Sequence, residues 1–222
     1  EKDFRIKNLE YFNKTGFPNK RSEDWKFSDL REIVSKNFKK LNFENTSYTE
    51  KKIDLITEFE HNFIILTNGE LTSSNFDHED KNKIKIQKYS NNYLSDKLDL
   101  NPLINLNHAM ANKGLILEVE ENYKFNKILV IYSLYTDTLS ENIINCKNKI
   151  KVGKNSELHM LEYLINDSKD NFFNNTCEDI ILEDSAIFKT ICIQKRKSSG
   201  YFHKYSSNKL GKKSSYSSFV FP

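Results

Sequence analysis

Val152-Gly153-Lys154-Asn155-Ser156-Glu157-Leu158 opens a pattern that returns twice, as Ile181-Leu182-Glu183-Asp184-Ser185-Ala186-Ile187 and as Leu210-Gly211-Lys212-Lys213-Ser214-Ser215-Tyr216. Each block is an apolar residue, a polar turn closed by Ser, and a new strand with its apolar residue two positions later. The anchors at 152, 181 and 210 and the serines at 156, 185 and 214 are both spaced by 29. A fixed period of this size is the mark of a solenoid. One coil of strands cannot bury its inward face alone, whereas stacked coils share a continuous core and pair their edges. The run from Ile187 to Ile193 then reads as a buried strand of such a coil. From about Val152 onward the chain is therefore expected to be a β-solenoid.

Upstream the rhythm changes. Phe4, Ile6, Leu9 and Phe12 fall at loosely helical spacing, and Thr15-Gly16-Phe17-Pro18 ends that helix. Ser28 can cap a second helix with Asp29 in its first turn. Its apolar face would be Leu30, Ile33, Val34 and Phe38. Phe63–Leu66 reads as a short strand, and Asn68-Gly69 as a hairpin turn leading to Leu71. Ile84 and Ile86 alternate with Lys as a weak strand. Asn101 caps the clearest helix, Pro102 takes its first position, and Gly114 closes it in a left-handed conformation. Strands are expected at Leu115–Val119 and Ile128–Leu134. The expected division is a helical and mixed α/β region over 1–114 and a solenoid over 115–222.

Composition narrows the function classes. The chain has 222 residues, with 34 basic against 31 acidic, a net charge of +3. That balance, with a pI near 8.5, argues against a nucleic-acid partner, which selects a concentrated basic face. Aromatic residues make up 13% and are expected to supply much of the buried area, since mean hydropathy is only -0.68. Cys146, Cys177 and Cys192 form no CxxC pair. Three sparse cysteines fit a reducing compartment, and the expected location is cytoplasmic. The apolar run near Ile128–Tyr135 is too short for a membrane span, and no signal peptide is visible. A start upstream of Glu1 and a cut end at Pro222 are expected.

The residues show no GxGxxG, P-loop, HExxH or GxSxG pattern. His61, His78, His108, His159 and His203 lack a second ligand at metal spacing. If coils stack, His159 and His203 could approach a common face. Cys146, Cys177 and Cys192 fall out of register in the repeat frame, which points to structural thiols and not to a stacked thiolate ladder. No catalytic, cofactor-binding or metal-ligating residue is therefore expected.

One stretch is more specific. Gly16-Phe17-Pro18-Asn19-Lys20-Arg21-Ser22-Glu23-Asp24-Trp25-Lys26-Phe27-Ser28-Asp29-Leu30 resembles the N-terminal signature of the SufB/SufD family, on its SufD side. That signature is a Gly-x-Pro turn, basic residues, then Glu-x-Trp-Lys-Tyr-Thr-Asp-Leu. Phe27 stands for the Tyr and Ser28 for the Thr. Leu106-Asn107-His108-Ala109-Met110-Ala111-Asn112-Lys113-Gly114 is similar to the family's Leu-Asn-x-Ala helix that ends in Gly. The order of regions also matches, so the resemblance spans essentially the whole chain. It implies a mixed α and β fold in which an N-terminal helical region precedes the first coils of a right-handed parallel β-helix.

Functionally, the resemblance implies a non-catalytic scaffold of the SUF iron–sulfur cluster assembly system. The implied partners are a SufB-like subunit, held through the β-helix, and a SufC-like ATPase, held through a C-terminal region beyond Pro222. No cofactor is expected on this fragment; the nascent cluster belongs to the full complex. The family's late Cys/His cluster would also lie beyond Pro222, so no functional residue carries over. The alternative is a secreted-type β-helix enzyme acting on carbohydrate, but the coils lack the carboxylate series such chemistry needs. A left-handed β-helix acyltransferase needs hexapeptide repeats that a 29-residue period does not supply.

Overall fold

The structure is a computed structural model that describes residues 2–43, 53–90, 101–195 and 199–221. Among the described residues three α-helices, α1 (Lys2–Thr15), α2 (Leu30–Asn37) and α3 (Pro102–Met110), accompany eleven strands. The strands are β1 (Asn62–Thr67), β2 (Glu70–Asn75), β3 (Ile84–Lys88), β4 (Leu115–Val119), β5 (Leu129–Tyr135) and β6 (Ile143–Val152). They continue as β7 (Glu157–Asn166), β8 (Phe173–Leu182), β9 (Ile187–Lys195), β10 (Tyr201–Leu210) and β11 (Ser215–Phe221).

From β4 onward the strands alternate between two sheets, ordered β11-β9-β7-β5-β1-β2 and β10-β8-β6-β4-β3. All pairs from β4 to β11 are parallel, so this is a flattened β-solenoid with two strands to a coil. The solenoid starts earlier than Val152: β5 pairs in parallel with β1, and the antiparallel strands β2 and β3 complete that end. Asn68 (φ 51) and Gly69 (φ 80) join β1 to β2 as expected of a tight hairpin turn.

The coil spacing is not a constant 29. Val119 pairs with Val152, Val152 with Leu182 and Leu182 with Leu210, steps of 33, 30 and 28. Leu182 is therefore the buried anchor of the middle coil, while Ile181 is on the outer face, paired with Lys151 and Lys209. Ser185 likewise matches Asn155 and Lys213, not Ser156 and Ser214; its φ of 59 sits beside their 58 and 58. The four-residue corner is constant at 153–156, 183–186 and 211–214, and the loop at the opposite corner absorbs the change. Each constant corner hydrogen-bonds to the next: Asn122 N–H to the Lys154 carbonyl at 2.8 Å, Asn155 to Asp184 at 3.0 Å, Ser185 to Lys212 at 2.8 Å.

Two cores result. Inside the solenoid, near the constant corners, Leu117, Val119, Ile150, Leu158, Ile180 and Phe188 close the gap between the sheets. Outside the five-stranded sheet, Phe12, Leu30, Phe38, Leu103 and Leu106 of the helical layer pack on Ile143 and Phe173. In α1 the buried positions are Asn8 and Phe12, while Ile6 and Leu9 face solvent.

Local capping departs from expectation at two points. Asp29, not Ser28, caps α2, its carboxylate accepting the Glu32 N–H at 3.0 Å. Asn101 caps α3 as expected, but the helix ends at Ala111 and not at Gly114. Gly114, at φ 125, instead lets the backbone pass β6, where an added Cβ would lie 2.0 Å from the Lys147 carbonyl oxygen.

Candidate functional site

Within the solenoid the inward side chains change character along each strand. Near the constant corner they are mostly aliphatic, with Phe188 and Tyr216 stacked among them. Toward the opposite corner they become Ser133, Cys146, Asn148, Glu162, Thr176, Glu178, Cys192, Gln194 and Lys204. Register explains which of these meet: Cys146 pairs with Thr176 and Thr176 with Lys204 on one sheet, and Glu162 with Cys192 on the other. All of these except Glu178 line a cavity of about 100 Å³.

Lys204 is the hub. Its Nζ lies 2.8 Å from Glu162 Oε2 across the gap and 3.3 Å from Glu178 Oε2 on its own sheet. Glu178 is only 6% exposed, whereas Lys204 keeps 38% because β10 forms one rim of its sheet. Burial pulls the Lys204 pKa down, but the two carboxylates outweigh it and hold the pKa well above its usual value. The ammonium is therefore permanently charged at neutral pH. The Ser206 hydroxyl adds a long contact of 3.4 Å to Glu178.

The neighbouring groups stay neutral. Burial pushes the Cys146 thiol up to about 12. A thiol in that state is not a nucleophile at neutral pH. Burial also raises the Tyr135 phenol well above its usual value, and its oxygen accepts the Asn174 amide at 3.0 Å. The Ser133 hydroxyl lines the cavity and makes no hydrogen bond among the described residues. The chamber thus offers one fixed charge cluster, two thiols and several hydroxyls and amides. That set can hold water or a small polar molecule.

The structure separates the residues considered from sequence. Cys146 and Cys192 face the chamber from opposite sheets, whereas Cys177 points outward beside Lys147 and Tyr205 in the ladder. None of the three forms a disulfide. His159 and His203 do not share a face. His159 lies outside the six-stranded sheet, 3.0 Å from Glu157. His203 lies outside the five-stranded sheet, against Trp25 with ring centroids 5.9 Å apart. Its Nδ1 meets Asn175 Oδ1 at 2.9 Å. Because the Asn175 amide nitrogen donates elsewhere, His203 Nδ1–H is the donor. Burial lowers the His203 pKa to about 4, so the ring is neutral. His61 bonds to Tyr132 through Nε2 at 2.9 Å. Among the described residues no three His, Cys, Asp or Glu side chains converge as a metal site.

The two stretches that carry the family resemblance both fasten helices to the solenoid. Trp25 rests on His203 of β10. The Asn107 amide of α3 donates to the carbonyls of Cys146 and Asn175, each at 2.8 Å. Sequence reasoning did not find the Glu162–Lys204–Glu178 cluster. Only the correct register reveals it, since Glu162 and Lys204 are 42 residues apart. No protein-family model matches the sequence, and comparison with curated proteins finds no relative. Among the described residues no helix is long and apolar enough to cross a membrane.

Proposed function

We propose that this chain is a SufD-like, non-catalytic scaffold subunit of iron–sulfur cluster assembly. The observation that carries this reading is the joint placement of the two family-like stretches. Gly16–Leu30 and Leu106–Gly114 lie 76 residues or more apart in sequence. Both are anchored on the outer face of one sheet of a parallel solenoid, through Trp25 and Asn107. A family signature that fixes an architecture has this form, since its residues pack and clamp and do no chemistry.

On this reading the solenoid winds right-handed, as parallel strand crossovers overwhelmingly do. Residues 1–114 form an N-terminal region and 115–222 the β-helix. The protein works in the cytoplasm, pairs with a SufB-like subunit through the β-helix, and takes part in a complex with a SufC-like ATPase. It binds neither nucleic acid nor membrane and holds no cofactor of its own; the nascent cluster forms only in the full complex. The test is depletion of the protein in its own cell. Activity of iron–sulfur enzymes should fall while enzymes without clusters keep theirs. Unchanged cluster enzymes under iron limitation would overturn the proposal.

A further inference from the structure

A cleft of about 500 Å³ lies outside the solenoid, between the Thr15–Arg31 segment, the start of α3 and Tyr205 of β10. It is separate from the interior chamber, and the scaffold reading assigns it nothing. Its volume falls within the range of small-molecule sites. Its walls come from three parts of the chain: Phe17 and Trp25 from the N-terminal segment, Ile104 from α3, and Tyr205 from β10. Three aromatic rings around one cleft favour a flat ring as occupant.

The polar lining is as specific. Gly16, at φ 69, turns the chain so that the carbonyls of Thr15 and Phe17 both face Arg31. Arg31 Nη2 donates to them at 3.2 and 3.4 Å. That pins the guanidinium with one nitrogen and leaves Nε and Nη1 without a partner among the described residues. A guanidinium held this way presents a fork suited to a carboxylate or phosphate. Glu23, at the rim, can accept a hydroxyl or amino donor from the same ligand.

We infer that this cleft binds a small molecule in which a flat aromatic or heteroaromatic ring carries an anionic group, the ring among Phe17, Trp25 and Tyr205 and the anion on Arg31.

Trp25 is the only tryptophan in the chain, so its fluorescence reports directly from the cleft. The full chain is titrated with AMP, a ring with a phosphate, and with nicotinate, a ring with a carboxylate. Adenosine, ring without anion, and ribose 5-phosphate, anion without ring, are the controls. At least one of the first two should change the Trp25 emission saturably, with half-effect below about 1 mM. Whichever responds identifies the anion. Both controls should bind at least about tenfold more weakly. Arg31→Ala should weaken binding by a similar factor. Because Arg31 also holds two carbonyls, Tyr205→Leu, at a surface position, provides an independent variant with the same expected loss. The inference fails if neither AMP nor nicotinate saturates, if a control matches them, or if both folded variants bind like the parent. Such a failure leaves the scaffold reading untouched.

Discussion

Lys204 and Glu79 show how much a single side chain decides here. Removing Lys204 leaves Glu162 and the nearly buried Glu178 facing each other without a cation. Breaking one partner of such a group costs more than the group contributes, because a charge stays behind unpaired. Lys204→Met is expected to lower stability by roughly 1–3 kcal/mol, less than a fully buried pair because the rim is wet. The triple variant Glu162→Gln/Glu178→Gln/Lys204→Met should recover part of that loss. Urea midpoints check both.

Glu79 has a different task. Its carboxylate accepts the Tyr123 hydroxyl at 2.6 Å, the Asn62 amide at 2.8 Å, and the backbone N–H groups of Asn126 and Lys127 at 3.0 Å each. Burial pushes its pKa up, but these donors together hold it below the usual value. A lowered folded pKa stabilises the protein above the unfolded carboxylate value, near about 4.3, and the gain is lost as pH falls through the folded value. Glu79→Gln should therefore be less stable than the parent at neutral pH by about 1–3 kcal/mol. The gap should narrow in mildly acidic urea titrations below about pH 4.

At the scale of elements, the corners and the helix clamp carry the predictions. Ser185 occupies the left-handed position that Asn155 fills in the preceding coil. A non-glycine residue there costs about 1–2 kcal/mol, partly offset by the unfolded-chain entropy of glycine. Ser185→Gly should raise stability by up to about 1 kcal/mol, seen as a higher urea midpoint. Asn107→Leu should do the reverse. It deprives two buried carbonyls of a donor and should cost about 2–4 kcal/mol, with earlier hydrogen exchange in α3 than in β8.

The elements most readable in the sequence were those with local chemistry: the Asn68-Gly69 hairpin, the Asn101-Pro102 helix start and the Gly16 stop. Register was less readable. Steps of 30 and 28 average to the 29 seen in the sequence, so the anchor Ile181 and the turn residue Ser185 each sit one place from where the repeat put them. A one-residue slip turns a strand's inward set outward.

At the scale of the molecule, that slip also hid the interior chamber. With a 29-residue step Glu162 would stack on Ile191; in the structure it stacks on Cys192, and the charged and thiol side chains share one lumen. The same long-range dependence explains why the meeting of Trp25 with His203 had no local signal. The motif read as a packing anchor before its partner, 178 residues further on, could be named. The parallel solenoid, with helices fastened to one sheet, is a platform with broad outer faces. Ile191, Ile193, Phe219 and Phe221 stand together on the outer face of the six-stranded sheet, each more than a third exposed.

The proposal that this platform pairs with a SufB-like subunit is tested most directly by native mass spectrometry of the chain co-expressed anaerobically with the SufB-type protein of its own organism. The account predicts a complex with one copy of each. The chain appearing only by itself, while the SufB-type protein is folded and present in excess, would contradict it.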